Sequence, residues 1–284
     1  MADLNLRPLS LGEILDRTFW LYRSNFVLFA GITAVPQLLI LALRLVQTLV
    51  LSRPAAPGQL ATNVSGSLVA LGIIAAIVGV VVYFVAYLFA QGGTVYAVSE
   101  LYLGRQTSIR ASLSRMRGHA GNLFGVTLLN GLAVFAATLL LIIPGIYVAC
   151  RLITCVPAAL LEDLGPGDSL SRSFSLTKGS AGRSFVIYLL YFVLLILFEM
   201  LFVFPFTFMA GLSQQDPATA RLWLALTQVG TSAAEVVVTP VLTIATAIFY
   251  YDLRVRKEAF DLQLMMNPGG VVAAPSSSVP TMFS

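Results

Sequence analysis

Arg151 has the strongest claim to chemistry in this sequence. It lies six residues into a short apolar stretch, 145–161, and is flanked by apolar residues. A guanidinium inside a membrane costs from about 2.5 to over 10 kcal/mol depending on the reference state, so it needs a partner. Glu199 and Glu235 are the only acids well inside other apolar runs. Glu235 is the expected partner, because Glu199 follows the long run 185–198 and falls toward the outer half. An arginine and an acid of this kind could build a polar cavity that binds an anionic head group or conducts protons. They could equally form a structural ion pair, or the arginine could snorkel to the nearer interface. Arg44, near the end of the first apolar run, is expected to snorkel.

A second candidate set is basic. Arg105, Arg110, Arg115 and Arg117 stand close together against one acid, Glu100. Each base near an anionic leaflet contributes about 1 kcal/mol of attraction. The set could therefore recognise anionic lipid head groups or an acidic protein partner, or it could simply anchor and orient the chain. Nothing in the pattern points to a nucleic acid.

Other chemistry finds little support. The sequence has no GxSxG nucleophile elbow, no HExxH, no P-loop lysine motif and no GxGxxG following a strand. A single histidine, His119, is too few for a His-rich metal site. No metal, no cofactor and no enzymatic activity are expected. Gly165-Pro166-Gly167-Asp168 reads as a turn, with Asp168 or Ser169 as the cap of the next helix, rather than a phosphate cradle. Cys150 and Cys155 fall in one predicted helix. Five positions apart, they point about 140° from each other, so they are expected to be buried, reduced thiols.

These residues must be positioned by a membrane bundle. Hydrophobic residues make up 58% of the 284 and charged residues 11%, with a mean hydropathy of +0.88. An ordinary globular domain carries about 25% charged residues. Six apolar runs are long enough to span: 26–51, 68–90, 123–143, 145–161, 185–210 and 222–251. Pro144-Gly145 is expected to break the third from the fourth, and Pro36, Pro157, Pro205 and Pro240 interrupt four of the runs. Asn130 is expected to hydrogen-bond across the bundle, and the 121–125 segment has the spacing of a close helix contact.

The basic residues sort between the two ends. Arg7, Arg17 and Arg23 precede the first run, and Arg105, Arg110, Arg115 and Arg117 lie between the second and third. Arg172, Lys178 and Arg183 follow the fourth, and Arg254, Arg256 and Lys257 follow the sixth. Only Arg53 and Arg221 fall on the other side. By the positive-inside rule both termini are expected in the cytoplasm, and the first run serves as the insertion signal.

The connections on that side look helical. Ser10-Leu11-Gly12-Glu13 is a capping box, and Leu11, Ile14, Leu15, Thr18 and Tyr22 share a helix face. Ser10 and Phe26, Ser108 and Phe124, and Ser169 and Phe185 have equal spacing, as if three units each placed a helix before a span. The expectation is one all-α integral membrane domain, 1–266, a bundle of six transmembrane helices. Three cytoplasmic interfacial amphipathic helices would lie at about 10–24, 108–121 and 169–183. Residues 267–284 read as a disordered tail. Asn63-Val64-Ser65 fits the glycosylation sequon by chance in a chain of bacterial appearance.

Five segments carry a likeness: LSLGEILDRTFWLYRSNF at 9–26, IPGIYVACRL at 143–152, VPAALLED at 156–163, SLSRSFSLTKG at 169–179 and YYDLRVRKEAFDL at 250–262. Together they resemble the bacterial six-span proteins named after the glycerophosphoryl diester phosphodiesterase membrane domain, over nearly the whole chain. The resemblance implies an all-helical membrane module without the phosphodiesterase activity, which belongs to a separate barrel domain with paired histidines. It supplies no catalytic or ligand residue. The expected function is therefore non-catalytic: a membrane-embedded binding or scaffold module in a bacterial inner membrane, meeting anionic lipid or a partner protein at its cytoplasmic face. The alternative is a transporter or lipid translocator built on Arg151 with Glu235 or Glu199.

Overall fold

The computed structural model describes residues 8–51, 66–213 and 216–258. Arg7, the segment 52–65 with Arg53 and Asn63, and residues 267–284 lie outside the described residues. The regular structure is entirely helical: α1 (Leu11–Ser24), α2 (Phe26–Leu51), α3 (Gly66–Tyr102), α4 (Ile109–Met116), α5 (Ala120–Leu140), α6 (Ile142–Leu152), α7 (Cys155–Leu161), α8 (Pro166–Leu176), α9 (Ala181–Phe202), α10 (Phe204–Leu212) and α11 (Pro217–Glu258). Six stretches are long and apolar enough to cross a membrane: Phe26–Thr48, Gly72–Tyr102, Ala120–Leu140, Ile142–Leu161, Ala181–Phe202 and Ala218–Glu258.

Their surfaces agree with that length. Val27, Val80, Leu139, Leu140, Ile143, Leu201 and Leu222 all face outward. Apolar side chains exposed in such number make a surface that suits hydrocarbon, not water. The exceptions are the Ile142–Leu161 span and α11, more than half of whose apolar windows are buried, α11 the most. α11 packs against α1, α2, α3, α9 and α10 and forms the central post. Small and β-branched residues line it, among them Ala234, Val238, Val241, Ile244 and Ala245, which lets its neighbours approach closely.

The helix boundaries depart from the sequence pattern in ways that proline explains. Pro36 and Pro240 stay inside unbroken helices. Pro205 does not: α9 ends and α10 begins at Val203, placing the proline in the first turn, where its missing N–H costs nothing. The fourth span is likewise broken, at Ile153–Thr154, with Pro157 in the first turn of α7. Cys150 and Cys155 therefore occupy separate helices, and both are buried and free. The third and fourth spans part at Leu141, whose backbone is extended (φ −165°, ψ 152°), rather than at Pro144-Gly145. Asn130 makes no side-chain hydrogen bond among the described residues.

α3, with 37 residues, and α11, with 42, outrun a hydrocarbon core of about 30 Å at about 1.5 Å per residue. Their overhanging ends meet where Tyr102 stacks on Tyr251 at 5.0 Å. Around them α1, α4, α7 and α8 build a layer at one end of the bundle, here termed the terminal end. Its core holds Leu9, Ile14, Leu21, Leu176, Ile248, Phe249 and Tyr250. Ser10 caps α1 in a complete capping box with Glu13. Ser108 caps α4, which stops at Met116, short of residue 121. α8 starts at Pro166 with Gly165 as its cap, so neither Asp168 nor Ser169 caps it. Ser169 lies inside the helix, buried, and donates to the Gly165 carbonyl at 2.7 Å. The equal Ser-to-Phe spacing thus marks helix starts in two units and not in the third.

Candidate functional site

The sequence joins Arg151 to Glu235 or Glu199, and the structure separates them. Arg151 sits near the end of α6 and reaches α8. Its Nε donates to Thr177 Oγ1 at 3.1 Å, one terminal nitrogen donates to the Tyr147 hydroxyl at 2.9 Å, and the other donates to the Phe174 carbonyl. The guanidinium also lies over the rings of Phe174 and Tyr147. Its partner is the C-terminal turn of α8, where unpaired carbonyls and the negative end of the helix dipole favour a cation. Lys257 serves the same turn, with Nζ 2.9 Å from Ser175 O and 3.0 Å from Lys178 O. The Arg151 carbonyl in turn accepts from Ser173 and Thr177. No acid pairs with Arg151 among the described residues.

The terminal end is held by two ionic hubs. In the first, Arg172 grips Glu162 through a fork, with Nε at 2.8 Å and a terminal nitrogen at 2.9 Å, and also bonds Glu258. Burial works against the Arg172 charge, but the hydrogen bonds it donates to Glu258 and Glu162 outweigh it and push its pKa above the ordinary arginine range. Tyr250 donates to Glu162 at 2.6 Å, and the nearly buried Arg254 bonds Glu258 and Tyr250. In the second, buried Asp252 receives Arg183 at 2.9 Å, Arg256 at 3.0 Å and the Leu9 backbone N–H at 2.6 Å. The segments 9–26, 143–152, 156–163, 169–179 and 250–262 all reach this layer, through Leu9, Arg151, Glu162, Arg172 with Ser173, and Asp252 with Arg254.

The basic set divides. Arg105 and Arg115 both pair with Glu100, at 2.9 and 2.8 Å, and Arg115 lies over the Tyr96 ring. Arg110 and Arg117 are exposed and join no ion pair among the described residues.

Glu235 belongs elsewhere, deep in the bundle between α2, α3, α9 and α11. Gln37 donates to one of its oxygens and Arg44 approaches the other at 3.4 Å. Arg44 therefore turns inward to a carboxylate and does not snorkel. The two acids share a cavity of about 200 Å³ lined also by Thr33, Pro36, Gln37, Tyr83, Tyr87, Tyr191 and Leu195. Glu199 has no hydrogen bond or ion pair from its carboxylate among the described residues. Gln37, Tyr83, Tyr87 and Tyr191 did not stand out in the sequence. Their signal was present in two forms: a polar amide beside a span proline, and tyrosines at i, i+4 spacing in an otherwise aliphatic run.

Comparison with known proteins yields no match: no family model, no curated protein and no solved structure corresponds to this chain.

Proposed function

We propose that this chain is a non-catalytic, membrane-embedded binding module of a bacterial inner membrane, with both termini cytoplasmic and the terminal end seated on anionic lipid head groups. One observation carries the reading. Arg105 and Arg115 share the single carboxylate of Glu100, while Arg110 on α4 and Arg117 at its C-cap are exposed and join no ion pair among the described residues. Two further features support it. α1 exposes Phe19 and Trp20, aromatic residues suited to the head-group level. The likeness to the six-span membrane-domain family brings a membrane module and no catalytic residue. Each lipid-facing base contributes about 1 kcal/mol, lost at high salt.

The test is lipid retention by the purified protein in nanodiscs of mixed phosphatidylglycerol and phosphatidylcholine. Enrichment of the anionic lipid that falls with salt and with Arg110→Glu/Arg117→Glu is the expected result. Equal retention of both lipids would overturn the reading. Salt-sensitive capture of an acidic protein by the same two arginines would replace the lipid with a protein partner.

The second reading, a transporter or lipid translocator, is favoured by the polar cavity at Glu235 and Glu199. Arg151 has no part in it.

A further inference from the structure

The mid-bundle cavity has a chemical character that the terminal end does not share. Both charged side chains on its wall, Glu199 and Glu235, are acids, and Arg44, the nearby base, approaches Glu235 without lining the space. Two carboxylates against one guanidinium leave the site net negative. Three aromatic residues complete the wall. Tyr83 and Tyr87 stand one turn apart with nearly parallel rings, and Tyr191 faces them from α9. The Tyr87 hydroxyl accepts from Gln91. Two acids and three tyrosines lining one space are what a cation, and an organic ammonium above all, is attracted to.

The cavity also shares a wall with an outer groove of suitable chemistry. Leu195 and Glu199, one turn apart on α9, belong both to the cavity and to an outer groove of about 420 Å³. The groove continues along Ile196, Met200, Val203 and Phe204, where α9 breaks into α10. Its wall is apolar apart from Glu199 and Thr207, and it lies on the face where Ile196, Met200 and Phe204 are exposed to the membrane. Glu199 lies in the last turn of the span Ala181–Phe202, and the apolar helix α10 follows the break at Val203. The Glu199 carboxylate is exposed beside apolar side chains and has no hydrogen bond or ion pair among the described residues, so a cation arriving along the groove would gain a partner there.

We infer that the cavity and groove together bind a cationic amphiphile, with its ammonium group between Glu199, Glu235 and the tyrosine rings and its tail in the α9–α10 groove. An anionic lipid is refused by the two carboxylates. A free inorganic cation would use the carboxylates and leave the apolar groove without a role. The inference stands on the cavity alone and is independent of lipid contact at α4.

The experiment uses the full chain in proteoliposomes and three photoreactive probes with one alkyl chain, ending in trimethylammonium, hydroxyl or sulfonate. Crosslinked residues are read by mass spectrometry. The expected result is labelling of Ile196, Met200 or Phe204 by the ammonium probe alone, competed by the unreactive dodecyltrimethylammonium analogue. Glu199→Gln should weaken that labelling by about tenfold, and Leu195→Trp, which fills the shared wall without changing charge, should block it as well. Thermal unfolding of each variant checks that the bundle persists, and the Leu195 variant decides the matter if the glutamine variant does not fold. Equal labelling by the three head groups would overturn the inference. So would labelling unchanged in both variants, or complete displacement by sodium chloride, which would mark an inorganic-cation site.

Discussion

The backbone N–H of Leu9 donates to Asp252 Oδ1 at 2.6 Å, joining the start of the described chain to the end of its last helix. The Leu9 carbonyl is held as well, by Arg183 at 2.8 Å and Arg256 at 2.5 Å. One buried carboxylate thus fixes a strand of main chain and two guanidiniums together. Its removal leaves two bases facing each other with their acid gone, which costs about 3–5 kcal/mol for a buried pair. Asp252→Ala should therefore lower the unfolding temperature strongly and speed hydrogen exchange at the Leu9 amide. Asp252→Asn keeps an oxygen for Leu9 and loses only the charge, so it should destabilise while leaving that amide protected. Equal exchange at Leu9 in both variants would contradict the assignment.

Arg172 is the corresponding clamp of the other hub. Its fork serves Glu162 while its remaining terminal nitrogen serves Glu258. A lysine is a point charge on a flexible stem and cannot reproduce a planar fork. Arg172→Lys is expected to cost about 1–3 kcal/mol, the scale of hydrogen bonds to charged groups, despite conserving the charge. Unfolding of the purified variant in a denaturing detergent titration measures it, and wild-type stability would mean the fork contributes little.

The contrast between these hubs and the spans tells what the sequence could reveal. The six apolar runs were legible because hydrocarbon imposes one requirement along a whole segment, and α2 begins and ends where its run does. Partners were not legible in the same way. A buried cation needs a negative counterpart, and for Arg151 that counterpart is the carbonyl end of α8, which has no one-letter code. Linear sequence offers Glu235 as a partner for Arg151 and cannot tell that α2 places Gln37 and Arg44 beside it. Nothing in the sequence marks Glu162, Arg172 and Asp252 as partners in buried hubs, because the meeting of α8 and α9 with the long end of α11 that joins them is a tertiary fact. Arg254 with Glu258, and Asp252 with Arg256, are i, i+4 pairs that the sequence does contain.

The separation of Arg151 from Glu235 is itself measurable. Residues far apart with no shared partner have additive effects within about 0.5 kcal/mol, whereas contacting pairs couple. Arg151→Met and Glu235→Gln should be additive in a double-mutant cycle read by unfolding. Arg44→Met and Glu235→Gln should not be, because the Arg44 guanidinium lies 3.4 Å from the carboxylate it would lose. Coupling between Arg151 and Glu235 above that limit would restore the intramembrane ion pair and remove Arg151 from the α8 terminus.

Two glycines should answer the same substitution with opposite signs. At Gly230 of α11 a Cβ would lie 2.1 Å from the Phe202 carbonyl oxygen and 3.0 Å from its carbon. Both are backbone atoms at the α9–α10 break, so neither can swing aside as a side-chain end would. Gly230→Ala must push the two elements apart and is expected to cost about 1–3 kcal/mol, as overpacking does. Gly131, inside α5, has no heavy atom within 4 Å of the same Cβ. There the alanine only restricts the unfolded chain and favours the helix, so Gly131→Ala should stabilise by about 0.5–1 kcal/mol. Unfolding of the two variants side by side checks both signs. Because Gly230 is packed against the break beside the proposed groove, Gly230→Ala should also disturb ammonium-probe labelling there, while Gly131→Ala leaves it unchanged.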